Sequence, residues 1–105
     1  MKPIRTLEQL KKYAKDLPSS VVSVVRADEV ETLTAVKEAV EGGMVDCILV
    51  GPEEGIRKAA KEAQFDISGI RIVDAADDKE SAAKGVELVR NGEAHVLMKG
   101  LVATS

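Results

Sequence analysis

The spacing of apolar positions changes period repeatedly along this chain, and each change marks an element. Residues 6–16 have helical spacing, with Leu7, Leu10, Ala14 and Leu17 near one face. Thr6 and Gln9 have the form of a capping box, and Pro18 stops the helix. Residues 20–26 (SVVSVVR) are β-branched and almost continuously apolar, as in a strand buried on both faces. Asp28, with Glu31 behind it, begins a second helix whose apolar face is Leu33, Val36 and Val40. Gly42 and Gly43 end it, as a left-handed cap requires. Residues 47–50 (CILV) form a second short strand. Pro52 at a first helical position and Glu53 and Glu54 in a first turn favour a third helix, lined by Ile56, Ala59, Ala60 and Ala63. Residues 70–73 (IRIV) read as the third strand. Asp77 with Glu80 caps a fourth helix lined by Ala82, Val86 and Val89, which Asn91 and Gly92 close. Residues 95–99 (HVLMK) are the fourth strand, and residues 100–105 have the look of another strand-to-helix turn.

The order is therefore one helix followed by βαβαβαβ. It predicts a three-layer α/β/α domain with a parallel sheet, right-handed crossovers and strand order 3-2-1-4. Residues 1–105 contain no linker, low-complexity tract or second domain. The sequence stops where a covering helix should begin, although a parallel sheet wants both faces covered. The expectation is a truncated portion of a longer protein, with an unusually small complete domain as the alternative.

Composition narrows the classes. Of 105 residues, 45% are apolar and 31% charged, enough for one core and a solvated surface. Tyr13 and Phe65 are the only aromatics, so Val, Ile, Leu and Ala must fill the core and no base-stacking platform is available. The net charge is −3, with signs interspersed and no basic stripe, so nucleic acid and anionic membrane are poor partners. Cys47 is the only cysteine, and no apolar run reaches membrane-spanning length. The expected setting is a reducing cytoplasm.

The most informative segment is VLMKGLVATS, residues 96–105. A buried strand delivers Lys99 at its C-terminal end, Gly100 follows, and Thr104 and Ser105 stand where a helix would start. In open α/β sheets, ligands bind beyond the C-terminal strand ends where the strand order reverses. With order 3-2-1-4 that point lies between strands one and four, so Lys99 and Gly100 would face Arg26, Ala27 and Asp28 across a crevice. Lys99 offers a positive charge, Gly100 a close backbone approach, and Thr104 and Ser105 hydroxyl donors, a set that suits an anion. On these residues alone, a solvent-facing lysine and an ordinary helix cap are the commoner explanation.

Other candidates read more plainly as structure. GPEEG, residues 51–55, follows a strand and opens a helix, but it matches no phosphate-loop pattern, and Glu53 and Glu54 would repel phosphate. Cys47 lies in an apolar strand without a basic partner, as an inert buried thiol does. His95 stands at the start of its strand, away from the ligand edge. Asp74, Asp77 and Asp78 could attract Mg²⁺, but capping explains Asp77 more simply, and no metal is expected. Lys37 and Glu41, at i,i+4 spacing, read as a solvated face.

The VLMKGLVATS stretch closely resembles the MKGL-x-x-T segment of phosphate acetyl/butyryltransferases. The segments ILVG, IRKAAKEA, FDISGIRIVDA and AAKGVELVRNGEAHVLMKG resemble the same family in the same order, and the LMKG form is closer to its butyryl branch. The resemblance runs from the first strand to the end of the chain. It implies the first, N-terminal part of an isopropylmalate-dehydrogenase-like fold in a longer two-domain acyltransferase. It implies the reaction of a short-chain acyl-CoA with phosphate to give acyl phosphate and coenzyme A, with coenzyme A as substrate and no tightly bound cofactor. Lys99, Gly100, Thr104 and Ser105 would lie near the phosphate or acyl phosphate, and Arg26 and Asp28 would border the cleft. A homodimer is implied for the intact enzyme. Members of the family are much longer and place the cleft between two domains, so the isolated chain is expected to be inactive. Arg26 departs from the small residue more usual there. The rival expectation is a non-catalytic α/β module that binds an anion or a partner. A receiver-like domain would need an acidic pair where this sequence has Arg26 and Ala27.

Overall fold

The computed structural model describes residues 7–16, 20–43 and 45–99. The order is α1 (Leu7–Asp16), β1 (Ser20–Val25), α2 (Val30–Glu41), β2 (Val45–Gly51), α3 (Glu53–Glu62), β3 (Arg71–Asp74), α4 (Asp78–Arg90) and β4 (Val96–Lys99). The four strands form one sheet in the order β3-β2-β1-β4, and every pairing is parallel. This is the expected α/β topology. Thr6, Leu17, Pro18 and residues 100–105, and with them the capping box, the helix stop and the final turn, lie outside the described residues.

Two apolar clusters hold the layers together, one on each face of the sheet. Leu10 of α1, Leu33 and Val36 of α2, and Ile56, Ala59 and Ala60 of α3 pack with Val22, Val24, Leu49, Val96 and Met98. On the other face Leu88 of α4 packs with Ile48, Val50 and Ala94. Alternation along β1 accounts for the division: Val22 and Val24 face one layer, Val21 the other. Both faces of the central strands are apolar because both are covered.

Several boundaries differ from the sequence expectation. β1 ends at Val25, because Arg26 takes φ +63 and leaves the strand. Asp28 does not begin α2. The N-cap is Glu29, and Asp28 turns back to Arg26 instead. Pro52 occupies the N-cap of α3 rather than its first turn. The left-handed ends of α2 and α4 are as expected, with positive φ at Gly43 and Gly92, one residue past the right-handed Gly42 and Asn91. Lys37 is not merely solvated. Its Nζ donates to the Ala63 carbonyl at 3.3 Å and ties α2 to the end of α3.

The largest correction concerns α4. Its buried row is Ser81, Gly85 and Leu88, whereas Val86, expected inside, is 42% exposed. The cause is steric. A Cβ at Gly85 would overlap Val25 Cγ2 and lie 3.1 Å from Leu97 Cδ1, so only glycine lets the helix approach β1 and β4 this closely. The buried Ser23 hydroxyl then donates to the Gly85 carbonyl at 3.1 Å. The Asp77 cap is as expected, its carboxylate accepting the Glu80 N–H at 2.8 Å.

Candidate functional site at the β1–β4 switch point

At the C-terminal rim of the sheet the connections after β1, β2 and β3 are laced together. The Ala27 N–H donates to the Val50 carbonyl at 3.1 Å, and the Ala75 N–H to the Gly51 carbonyl at 2.9 Å. Asp74, the last residue of β3, accepts the Glu53 N–H at 2.9 Å and so caps α3 from outside that helix. The Asp74 carbonyl accepts from Lys84 Nζ at 2.6 Å. The glycines of GPEEG serve the same rim. A Cβ on Gly55 would stand 3.0 Å from the Asp28 Cβ, and one on Gly51 would stand 3.5 Å from Asp28 Oδ1. Gly55 makes room for the β1–α2 turn, and the segment is a helix start, as expected.

The acidic residues at and after the end of β3 are each engaged separately. Asp74 caps α3, Asp77 caps α4, and Asp78 pairs with Arg26. Among the described residues no group of three His, Cys, Asp or Glu side chains is arranged to hold a metal ion.

The rim differs between β1 and β4, where the strand order reverses. Lys99 ends β4 and stands in register with Val25, one residue before Arg26. Lys99 alternates with Met98 and so shares a sheet face with Leu97, which α4 covers through Gly85. The N-terminal end of α4 therefore lies over the same end of the sheet as Lys99. The Lys99 side chain is exposed, and no described residue forms an ion pair with it. The structure thus brings Lys99 and the Arg26–Asp28 turn to one end of adjacent strands. Gly100, Thr104 and Ser105 lie outside the described residues.

Arg26 is not solitary. Its Nε donates to Asp28 Oδ1 at 3.2 Å, its Nη2 lies 3.8 Å from Glu29 Oε1, and its Nη1 donates to Asp78 Oδ1. Burial alone would lower the guanidinium pKa, but the Asp28 hydrogen bond and the charges of Asp28, Asp78 and Glu29 outweigh it and push the pKa above its ordinary value. Sequence reasoning singled out Arg26 and Asp28 for the cleft but read Asp78 only as a member of an acidic cluster, not as the partner of Arg26. No local pattern links positions 26 and 78, because only the packing of α4 against β1 brings them together. The Asp28 contact, two residues away, was within reach of a turn argument.

The remaining candidates are structural. His95 stands at the N-terminal end of β4, opposite Lys99. Its N–H donates to the Val21 carbonyl at 2.8 Å and its Nδ1 accepts the Val21 N–H at 2.9 Å, which starts the β1–β4 pairing. Cys47 is buried, and burial, reinforced by the charge of Asp46, pushes its thiol up to about 12. Among the described residues no helix is long and apolar enough to cross a membrane.

A family model described as phosphate acetyl/butaryl transferase matches residues 5–84. The phosphate butyryltransferase of Clostridium beijerinckii is 37% identical over 101 residues, covering 96% of this chain and 33% of that protein. The phosphate butyryltransferase of Clostridium acetobutylicum is 34% identical over 102 residues, covering 97% of this chain and 34% of that protein. A phosphate acetyltransferase of Rhizobium meliloti is 43% identical over 67 residues, covering 64% of this chain and 21% of that protein. The chain spans about a third of the length of the two butyryltransferases. Among solved structures, the EutD phosphotransacetylase from Staphylococcus aureus shares the fold with a TM-score of 0.65 at 18% identity, over 90% of this chain and 38% of that one.

Proposed function

From the premise that this chain belongs to the phosphate acetyl/butaryl transferase family, we propose that it forms the first α/β unit of a longer enzyme that moves a short-chain acyl group between coenzyme A and phosphate. The observation that carries the proposal is the likeness to two phosphate butyryltransferases over almost the whole chain. It favours the butyryl side of the family, with acyl-CoA and phosphate as substrates; a cytoplasmic setting and a homodimeric intact enzyme are part of the proposal.

Chemically, a phosphate oxygen attacks the thioester carbonyl carbon. The tetrahedral intermediate then expels the coenzyme A thiolate, which takes a proton, and acyl phosphate remains. Phosphate is itself the nucleophile, so no covalent enzyme intermediate is required. The protein's task is to hold a charged nucleophile beside the carbonyl and to steady the oxyanion. Lys99 is the cation for the phosphate, because it stands exposed at the switch point without a carboxylate partner among the described residues. Gly100, Thr104 and Ser105 complete that subsite in this proposal. In this proposal the chain alone, about a third of the length of the two butyryltransferases, is inactive.

The test is phosphate-dependent loss of the butyryl-CoA thioester, followed for this chain and for a version lengthened past Ser105. Turnover by the lengthened protein alone is the expected result. Turnover by neither would contradict the acyltransferase assignment, and turnover by the short chain would contradict its inactivity alone.

A further inference from the structure

We infer that Arg26 is a second anion ligand of the switch-point site, and that the Asp78 carboxylate holds the place that a phosphate or phosphoryl group takes. This inference rests on the reading of Lys99 as the cation for phosphate.

The two edges of the guanidinium are held differently. The Nε edge is on Asp28, two residues away in the same turn, whose side chain is 21% exposed. The outer nitrogen Nη1 is on Asp78, 52 residues away at the start of α4, whose side chain is 77% exposed. The first contact sets where the guanidinium points, and the second occupies it. An ion pair as exposed as the second is weak, because water competes for both charges. A phosphate offers more charge and two oxygens spaced to meet the planar guanidinium fork. It can therefore displace Asp78 while Asp28 keeps Nε in place.

The position agrees. Arg26 follows Val25, the register partner of Lys99. Asp78 opens the helix that covers Val25 and Leu97. The link from Arg26 to Asp78 therefore runs along the sheet face on which Lys99 stands. Displacing Asp78 would free Nη1, with Nε still on Asp28 and Nη2 3.8 Å from the half-exposed Glu29 carboxylate, and would set it beside Lys99 at the neighbouring strand end. Arg26 also keeps a positive φ of +63, uncommon for a residue with a side chain, which turns the chain so that its side chain meets both Asp28 and Asp78.

Inorganic phosphate titrated into the 105-residue chain, followed by calorimetry, tests this. Asp78→Asn removes the competitor and is expected to tighten the phosphate Kd by roughly two- to fivefold, the strength of an exposed ion pair. Arg26→Gly, which keeps the positive φ without strain, is expected to weaken binding and to abolish the gain from Asp78→Asn in the double variant. A stabilising contact with no part in binding would lower the melting temperature of Asp78→Asn without raising affinity. Unchanged or weaker binding by Asp78→Asn overturns the inference. So does an equal gain in the Arg26→Gly background, which would mark a general field effect, and so does phosphate binding too weak to measure in both wild type and Asp78→Asn. Lys99→Met separates the two claims. If it weakens binding while Asp78→Asn changes nothing, the Lys99 reading stands and Arg26 is excluded. If it leaves the wild-type Kd unaltered, the Lys99 reading fails and this inference with it.

Discussion

Gly85 of α4 stands against Val25 of β1 so closely that a Cβ at position 85 would overlap Val25 Cγ2. The contact sets the height of α4 above the sheet and so places the α4 N-terminus, with Asp78, over the switch point. Gly85→Ala should therefore destabilise the protein. Alanine gains about 1 kcal/mol of helix propensity. Overpacking against the Val25, Leu97 and Ser23 side chains costs about 1–3 kcal/mol, and the Ser23 hydrogen bond to the Gly85 carbonyl would stretch as the helix lifts. A urea melt should register a net loss; a gain in stability would mean that α4 rises without cost.

Ser81 lies on the same buried row, and its hydroxyl is enclosed without a hydrogen-bond partner. A buried donor in that position costs about 1–3 kcal/mol. Ser81→Ala removes the hydroxyl at almost constant volume and should raise stability by about 1 kcal/mol, read as a higher urea midpoint at unchanged slope. A drop in the midpoint would show that the hydroxyl has a partner in solution.

The Ser81 and Gly85 row also shows where sequence reading stops. The period along β1, β2 and β4 was clear, since runs such as SVVSVV and CILV carry β-branched or aliphatic residues on both faces. The parallel sheet followed from the alternation of strands and helices, and the expected order 3-2-1-4 is the one formed. The Asp77 cap was legible because it is local, spanning three residues. The inner face of α4 was not, because a helix seated tightly on a sheet uses Ser and Gly where an apolar-only count selects Val86. At the site, Lys99 was legible from its place at a strand end. The partnership of Arg26 with Asp78 was not, since it exists only once α4 has docked.

Cys47 gives a pH prediction. Its thiol is raised from 9.0 to about 12 by burial and by Asp46. The folded state therefore holds the proton more tightly than the unfolded state. The stability this represents is fully present below pH 9 and is lost as pH rises towards the folded value. The slope is about 1.4 kcal/mol per pH unit across that window. Cys47→Ala should remove that contribution to the alkaline loss. Native protein should also resist thiol reagents at neutral pH and react only on unfolding; rapid native labelling would contradict the burial.

His95 fixes the start of the β1–β4 pairing through two hydrogen bonds to Val21. His95→Ala keeps the backbone bond and removes the Nδ1 acceptor. It should cost about 1 kcal/mol, with faster hydrogen exchange at the Val21 amide. Exchange unchanged at Val21 would mean that water replaces the imidazole at no loss.

The most direct test of the central claim is the phosphate dependence of butyryl-CoA thioester loss in the protein lengthened past Ser105, with Lys99 intact and with Lys99→Met. A charge-assisted contact to phosphate contributes about 1.5–3 kcal/mol, so the KM for phosphate should rise roughly tenfold or more in the variant, with the KM for the acyl-CoA nearly unchanged. An unaltered KM for phosphate, or thioester loss that does not depend on phosphate at all, would contradict the account.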